Sequence, residues 1–325
     1  MDHVPHDPLA VAHRLEDVVP GESVVTIGNF DGVHRGHRVL LGRAVGAAAE
    51  TGVRSVAITF EPHPAAVLRP GSEPPRLQSL DERIAALRDV GVDLVVVLPF
   101  TRELASLSPE AFVERVLVDR LQSTRVIVGT NFRFGHKAAG NLITLATAGE
   151  EHGFTAEAVT LLELDGVPLS SSAIREHVQA GDLPFVTAAL GRPFTLAGEV
   201  VAGEQRGRTI GFPTANVEVP AGRVLPANGV YAGRAKVTEA TGEVTVHDAV
   251  TNVGTRPTFD GQGVTVEVHL LDEQRDLYGR RLEVSFLAHL RGERRFDGLD
   301  ALREQIARDV RSAREAIAAH EGQRR

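Results

Sequence analysis

Along the first half of the chain, short apolar runs alternate with longer stretches whose apolar residues recur three and four positions apart. The runs at residues 23–27, 53–60, 92–100, 125–129 and 154–159 each predict a strand. That at 92–100 is apolar almost throughout, as expected of a parallel strand covered on both faces. Helical segments fill the intervals at 38–50, 80–90, 109–120 and 141–152. Their ends carry matching signals: Ser79-Leu80-Asp81-Glu82 is a capping box with Gly91 as the stop, and Ser108-Pro109 caps and begins the next helix. A further helix follows the serines at 170–172 and stops at Gly181. This rhythm predicts an α/β domain built on a doubly wound parallel sheet.

Beyond Gly181 the pattern changes. A short helical piece at 185–190 lies between Gly181-Asp182-Leu183-Pro184 and Gly191-Arg192-Pro193, and short alternating runs separated by glycine and proline follow. They predict a small antiparallel β-barrel, with an amphipathic helix at 299–319 packed outside it. The boundary is placed near residue 186, giving domains 1–186 and 187–325. In residues 264–271, Val264, Val266, Val268 and Leu270 share one face of a strand, which leaves Thr265, Glu267 and His269 on the other.

Composition narrows the chemistry. With 325 residues, the chain is long enough for two cores of ordinary size. A formal net charge of -8 argues against broad attraction to nucleic acid or to anionic membranes. Having no cysteine, the chain has no disulfide framework, thiolate nucleophile or cysteine-based zinc site. The acidic N-terminus lacks the order of a signal peptide and no run of about 18 apolar residues occurs, so a cytoplasmic protein is expected. Lys137 and Lys236 are the only lysines and no Gly-x-x-x-x-Gly-Lys-Ser/Thr string exists. Any ATP phosphates must therefore meet arginine, histidine, backbone N–H groups or a metal ion.

Several segments concentrate groups suited to phosphate. GNFDGVHRGH, Gly28 to His37, joins the first strand to the first helix; glycines let the backbone approach an anion, the helix start offers N–H groups, and imidazolium meets negative charge. On pattern alone, His34 and His37 fit phosphate chemistry, half a zinc site or a solvated helix start equally well. At the end of the second strand, Glu61-Pro62-His63-Pro64 is either a rigid surface turn or a loop bringing His63 to the same crevice. Gly129-Thr130-Asn131-Phe132-Arg133-Phe134-Gly135 is either a ring-stacking, phosphate-neutralising loop or one anchored by two phenylalanines. Ser170, Ser171 and Ser172 are helix caps or, with Arg175 one turn in, a polyphosphate clamp. In the second half, Gly203, Gly207 and Gly211 permit a flap over phosphates, while Thr214 and Asn216 supply oxygens of the kind magnesium accepts. Glu267 either faces water or takes a proton from an attacking hydroxyl.

Gly28 to His37 resembles the signature of the adenylyltransferase half of the prokaryotic bifunctional riboflavin kinase/FAD synthetases. His34-Arg35-Gly36-His37 is similar to the His-x-Gly-His element of the wider nucleotidyltransferases. Thr59 to Pro64, Gly129 to Gly135 and Ser170 to Arg175 match further elements of that half, with Asn131 standing where family members often carry aspartate. Gly211-Phe212-Pro213-Thr214-Ala215-Asn216 resembles the riboflavin kinase signature, and Val266-Glu267-Val268-His269-Leu270 with Asp276 to Arg280 its base strand and flavin-side loop. The resemblance runs from about residue 24 to about 305 in the expected order, in both halves.

It implies a Rossmann-like nucleotidyltransferase domain (FMN adenylyltransferase) followed by a barrel riboflavin kinase domain. ATP, riboflavin and FMN are then substrates, Mg2+ is the cofactor, nucleic acid and membrane are not partners, and weak self-association stays open. His34, His37 and Glu267 become the catalytic residues. Nucleotide binding falls to Gly28, Phe30, Asp31, His34, Gly36, His37, Asn131, Arg133, Ser170, Ser171 and Arg175 in the first half, and to Gly203, Arg208 and Gly211 in the second. Flavin contacts fall to Phe60, Pro62, His63, Tyr278 and Arg280, and Thr214 and Asn216 hold the metal. Asn252-Val253-Gly254 and Arg256-Pro257-Thr258 are expected to be structural turns. Competing readings are a transferase for another phosphate compound, a nucleotide-binding regulator without turnover, and a zinc hydrolase built on Asp31, His34, His37 and His63.

Overall fold

The computed structural model describes residues 10–203, 211–239, 241–258, 261–273 and 275–322, and the chain divides into two compact units, Met1–Ser171 and Ser172–Arg325.

In the first unit, strands β1 (Ala10–Ala12), β2 (Ser23–Ile27), β3 (Arg54–Glu61), β4 (Leu94–Pro99), β5 (Ser123–Gly129) and β6 (Thr155–Val159) form a six-stranded sheet in the order β1-β4-β3-β2-β5-β6. Every pairing is parallel, as the apolar runs predict. Alternate side chains feed two cores. Val24, Ala57, Val95, Val97 and Ile127 pack with Leu41, Ala44 and Ala48 of α1 (Arg35–Thr51) and with Ile84 and Leu87. Val25, Ile27, Val56, Ile58, Val96, Val126 and Val128 pack on the opposite face with Phe112, Val116, Leu117 and Leu145.

The other helices of this unit are α2 (Pro64–Leu68), α3 (Leu80–Asp89), α4 (Arg102–Ser106), α5 (Pro109–Phe112) and α6 (Leu142–His152). Ser79 and Glu82 form the capping box that opens α3, as the sequence predicts. Two details differ from the pattern. The helix expected over 109–120 widens after Phe112 into π-type turns, where Asp119 N–H bonds to the Glu114 carbonyl and Leu121 N–H to that of Val116. The edge strand β1 contributes only three residues, too short to give a periodic signal.

A short hairpin, β7 (Glu163–Leu164) and β8 (Val167–Pro168), precedes α7 (Ser171–Ala180) and α8 (Leu183–Leu190). The second unit then closes β9 (Phe194–Val201), β10 (Ala215–Glu218), β11 (Gly229–Thr238), β12 (Val244–Thr258), β13 (Gly261–Leu270) and β14 (Arg281–Arg291) into a barrel in the order β10-β13-β12-β11-β14-β9. All its pairs are antiparallel. The C-terminal helix α9 (Leu299–Gly322) lays Ala313 and Ile317 on Val230, Ala232, Val250 and Leu271.

Those contacts fix which side of each strand is outside. Tyr231, Ala235 and Val237 alternate with Val230 and Ala232, so they point into the barrel, where they are fully buried. Asn252-Val253-Gly254 and Arg256-Pro257-Thr258 are not turns: both lie inside β12, paired with residues 261–267 of β13. Glycine and proline mark turns in most contexts, but here the ladder with β13 overrides them.

Candidate active sites

In the parallel sheet the chain runs outward from β2 through β3 to β4, then returns to lay β5 on the other side of β2. The strand order therefore reverses between β2 and β5, and the crevice beyond the carboxyl ends of the strands is where such sheets bind ligands. The loops that follow β3, β2 and β5 are the three that the sequence singles out.

The loop after β2 is tightly held. Phe30 and Val33 adopt φ of 49° and 37°, a left-handed backbone that a β-branched residue rarely accepts, and both side chains are fully buried. Surrounding bonds hold this conformation in place. The Asp31 carboxylate accepts the N–H groups of Leu77 and Gln78 at 3.0–3.1 Å. The Asn29 carbonyl accepts the Thr59 hydroxyl at 3.0 Å and an Arg83 guanidinium N–H at 2.9 Å. Ser171, which opens α7, donates its hydroxyl to the Asp31 carbonyl at 2.8 Å.

His34 caps α1: its Nδ1 accepts the His37 N–H at 3.3 Å, which puts the proton of a neutral ring on Nε2. The two imidazoles stack with centroids 3.6 Å apart, and Phe30 meets His37 edge-on. A Cβ at Gly36 would approach the His34 ring to 3.2 Å, so glycine keeps the stack unobstructed. Burial, and secondarily the neighbouring His34, push the His37 pKa well below the ordinary 6.5. His37 is therefore a neutral N–H donor at pH 7 in the unliganded protein, rather than the imidazolium anticipated from the sequence.

That lowered pKa carries a prediction. The folded state resists protonation of His37 that the unfolded chain accepts near pH 6.5, so the stabilisation is complete above that pH and is lost as pH falls below it. Thermal unfolding followed between pH 7.5 and 5.5 should show a falling midpoint, with a shallower fall in His37→Gln. Parallel slopes in the two proteins would refute this contribution.

The loop after β3 reaches the same place. His63 caps α2 through Nδ1, which accepts the Ala65 N–H at 3.1 Å, and its Nε2 lies 3.4 Å from the Asn29 side-chain amide. Phe60 packs edge-on against Phe100, and Pro62 is exposed. After β5, Phe134 is buried, stacked on Phe132 and set against Phe112, while Asn131 and Arg133 are exposed. Ser170 is half-buried, and Arg175, one turn into α7, is buried.

The barrel assembles a different set. Asn216 of β10 pairs with Glu267 of β13, which in turn pairs with Asn252 of β12. Directly opposed residues share a face, and Asn252 also pairs with Val230, which packs under α9. The row Asn216, Glu267, Asn252 therefore lies on the outer face, with Glu267 half-buried between two amides. Thr214, two residues before Asn216, approaches from the loop. His269 holds that loop: its Nδ1 lies 2.8 Å from the Pro213 carbonyl and its ring meets Phe212 edge-on.

Gly203 lies against Asn216, and a Cβ there would collide with the amide. A cavity of about 440 Å³ opens at this point, lined by Val201, Gly203, Asn216, Glu218 and Thr265 among others. Gly211 adopts φ of 87°, whereas Arg208, with the rest of 204–210, lies outside the described residues. The loop carrying Tyr278 and Arg280 is tied to β9 by reciprocal backbone bonds to Val200, next to the cavity. Tyr278 is exposed, and Arg280 pairs with Glu239 at 3.3 Å.

Sequence reading passed over Asn29 and Arg83, and placed Asn252 in a turn. The first two are visible in the sequence only as a turn residue and a helix residue. Asn252 needed the β12–β13 register, although its polar side chain beside buried Thr251 and Val253 was an available clue.

Among the described residues no group of three or more His, Cys, Asp or Glu side chains converges to hold a metal ion, and no helix is long and apolar enough to cross a membrane. The oxygens of Thr214 and Asn216 on one extended segment, with bare Gly203 beside them, suit magnesium, which takes few protein oxygens and completes its shell with phosphates and water.

A family model described as FAD synthetase matches residues 17–173, and one described as riboflavin kinase matches residues 190–317. The chain is 44% identical over 297 residues to a bifunctional riboflavin kinase/FMN adenylyltransferase of Pseudomonas fluorescens, covering 91% of this chain and 93% of that one. It is 40% identical over 303 residues to the protein of the same description from Escherichia coli K12, covering 93% and 95%. With that from Bacillus subtilis it shares 35% identity over 305 residues, covering 93% and 94%. A solved structure described as a macrolide-efflux protein from Streptococcus pneumoniae superposes with a TM-score of 0.85 at 29% identity, covering 94% of this chain and 98% of that one.

Proposed function

The chain belongs to the bifunctional riboflavin kinase/FMN adenylyltransferase family, and from that premise we propose which residues carry each reaction. The C-terminal unit transfers the γ-phosphoryl group of ATP to the terminal ribityl hydroxyl of riboflavin, giving FMN and ADP. The N-terminal unit joins the FMN phosphate to the α-phosphorus of a second ATP and releases pyrophosphate. We assign the modules to 1–186 and 187–325.

In the kinase the nucleophile is a neutral alcohol, so a base is needed. Glu267 accepts the hydroxyl proton as the oxygen bonds to the γ-phosphorus and the bond to ADP breaks. The flanking Asn216 and Asn252 support this reading, because the row sets a carboxylate between two amides that cannot themselves take the proton. Thr214 and Asn216 would hold magnesium, which neutralises phosphate charge when bound; Gly203 and Gly211 serve the ATP phosphates together with Arg208, which lies outside the described residues. Tyr278 and Arg280 take the flavin side.

In the adenylyltransferase the FMN phosphate is already anionic and needs no strong base. His34 and His37 donate N–H groups to the phosphates, while Gly28, Phe30, Asp31 and Gly36 shape the turn that presents them. Asn131 and Arg133 serve the nucleotide, Ser170, Ser171 and Arg175 the leaving pyrophosphate, and Phe60, Pro62 and His63 the flavin. The proposed setting is cytoplasmic. The stacked imidazole pair at the reversal of strand order is the observation that supports this half most directly.

A time course with riboflavin, ATP and magnesium, resolving riboflavin, FMN and FAD, tests the whole reading. FMN should rise first and FAD follow, with both steps stopped by a chelator. Binding of flavin and nucleotide without turnover would favour the regulator instead.

A further inference from the structure

We infer that Arg83 is a positioning residue for adenylyl transfer: its guanidinium ties the phosphate-side turn after β2 to the flavin-side end of β3. This rests on the proposed assignment of those two loops to FMN adenylylation. Arg83 sits on α3 and is only 6% exposed, an unusual place for a cation unless it is paired. One guanidinium nitrogen donates to the Asn29 carbonyl at 2.9 Å. The other donates to the Glu61 carboxylate at 2.8 Å and to the Phe60 carbonyl at 3.3 Å. Glu61 is completed on its second oxygen by Arg76 at 2.9 Å. A planar fork reaching acceptors on the turn after β2 and at the end of β3 is what arginine does and a smaller donor does not.

The two loops depend on this link unequally. The turn after β2 keeps the Thr59 bond to Asn29 and the bonds of Asp31 to Leu77 and Gln78 when Arg83 is removed. Beyond Glu61 the chain passes directly to Pro62 and His63, and His63 meets the turn at the Asn29 side chain, 3.4 Å away. Arg83 gives two bonds to the end of β3 and one to the turn, so its loss loosens the flavin-side segment more than the phosphate-side turn. Misplacing a substrate-positioning element by about 1 Å is enough to cost a large factor in rate or binding.

The experiment uses the full chain, with Arg83→Gln, Arg83→Lys and, as a reference, His37→Ala. Adenylylation is measured with FMN and ATP varied separately, riboflavin phosphorylation is measured on the same preparations, and thermal unfolding is recorded. For Arg83→Gln the KM for FMN should rise roughly tenfold or more while the KM for ATP changes less than about twofold, and Arg83→Lys, which keeps the charge but cannot fork to both sets of acceptors, should show a smaller rise of the same selectivity. Kinase activity should be unchanged in both.

A lowered unfolding temperature with both KM values and kcat intact well below it would overturn the proposal, leaving Arg83 a stabilising residue only. Equal rises in the two KM values would overturn it too. If His37→Ala also left FAD formation intact, the underlying assignment of the site would fail; if only the Arg83 variants were silent, the positioning role alone would fail. Should Arg83→Gln not yield folded protein, Arg83→Lys decides: a selective rise in the KM for FMN supports the link, and wild-type constants overturn it.

Discussion

Glu267→Ala is expected to lower riboflavin phosphorylation by roughly 10²–10⁴, the usual contribution of a positioned general base, while FMN supplied directly is still converted to FAD. The expectation follows from placement. Glu267 lies on the outer face of β13 between the amides of Asn216 and Asn252, and neither amide can replace a carboxylate as proton acceptor. Glu267→Gln should lose nearly as much, because it keeps the shape and hydrogen bonding but not the basicity. Flavin products separated after incubation with ATP and magnesium decide the matter. Near-normal FMN formation by the glutamine variant would mean that the hydroxyl loses its proton elsewhere.

His37→Ala should do the converse, lowering FAD formation by about 10²–10³, the range for removing one preorganised donor to developing charge, with FMN formation intact. Its effect comes from two sources. In the proposed role the ring donates to phosphate, and its stack with His34 at 3.6 Å holds the neighbouring ring in place. A pyrophosphate-release assay with FMN and ATP reads the loss directly. Loss of both activities in a folded His37→Ala protein would contradict the assignment of separate reactions to the two units.

The architecture was largely legible because each kind of element carries its own pattern of apolar residues. Apolar runs such as 92–100 belong to strands buried on both faces, and the Val266, Val268, Leu270 alternation belongs to a barrel wall, so burial alone fixes which element forms. What the chain could not announce was contact between distant residues. The resemblance implies a turn at Asn252-Val253-Gly254, and only pairing with β13 makes Asn252 a neighbour of Glu267. Arg83 sits among Leu80, Ile84 and Leu87 on α3, where a cation in an apolar stripe is a signal, but its acceptors lie 54, 23 and 22 residues away. The charge state of His37 was also out of reach, since burial rather than residue type sets it.

The row across β10, β13 and β12 has a consequence for how the kinase comes into being. A slip of one residue in β13 would turn Glu267 inward and expose Val266 and Val268 to water, so the proposed base faces outward beside both amides only when β10, β12 and β13 are in correct alignment. Partly folded molecules should therefore leave riboflavin unphosphorylated. During refolding, phosphorylation of riboflavin should reappear in step with completion of the barrel and not with earlier collapse, which makes the reaction a built-in reporter of a finished domain.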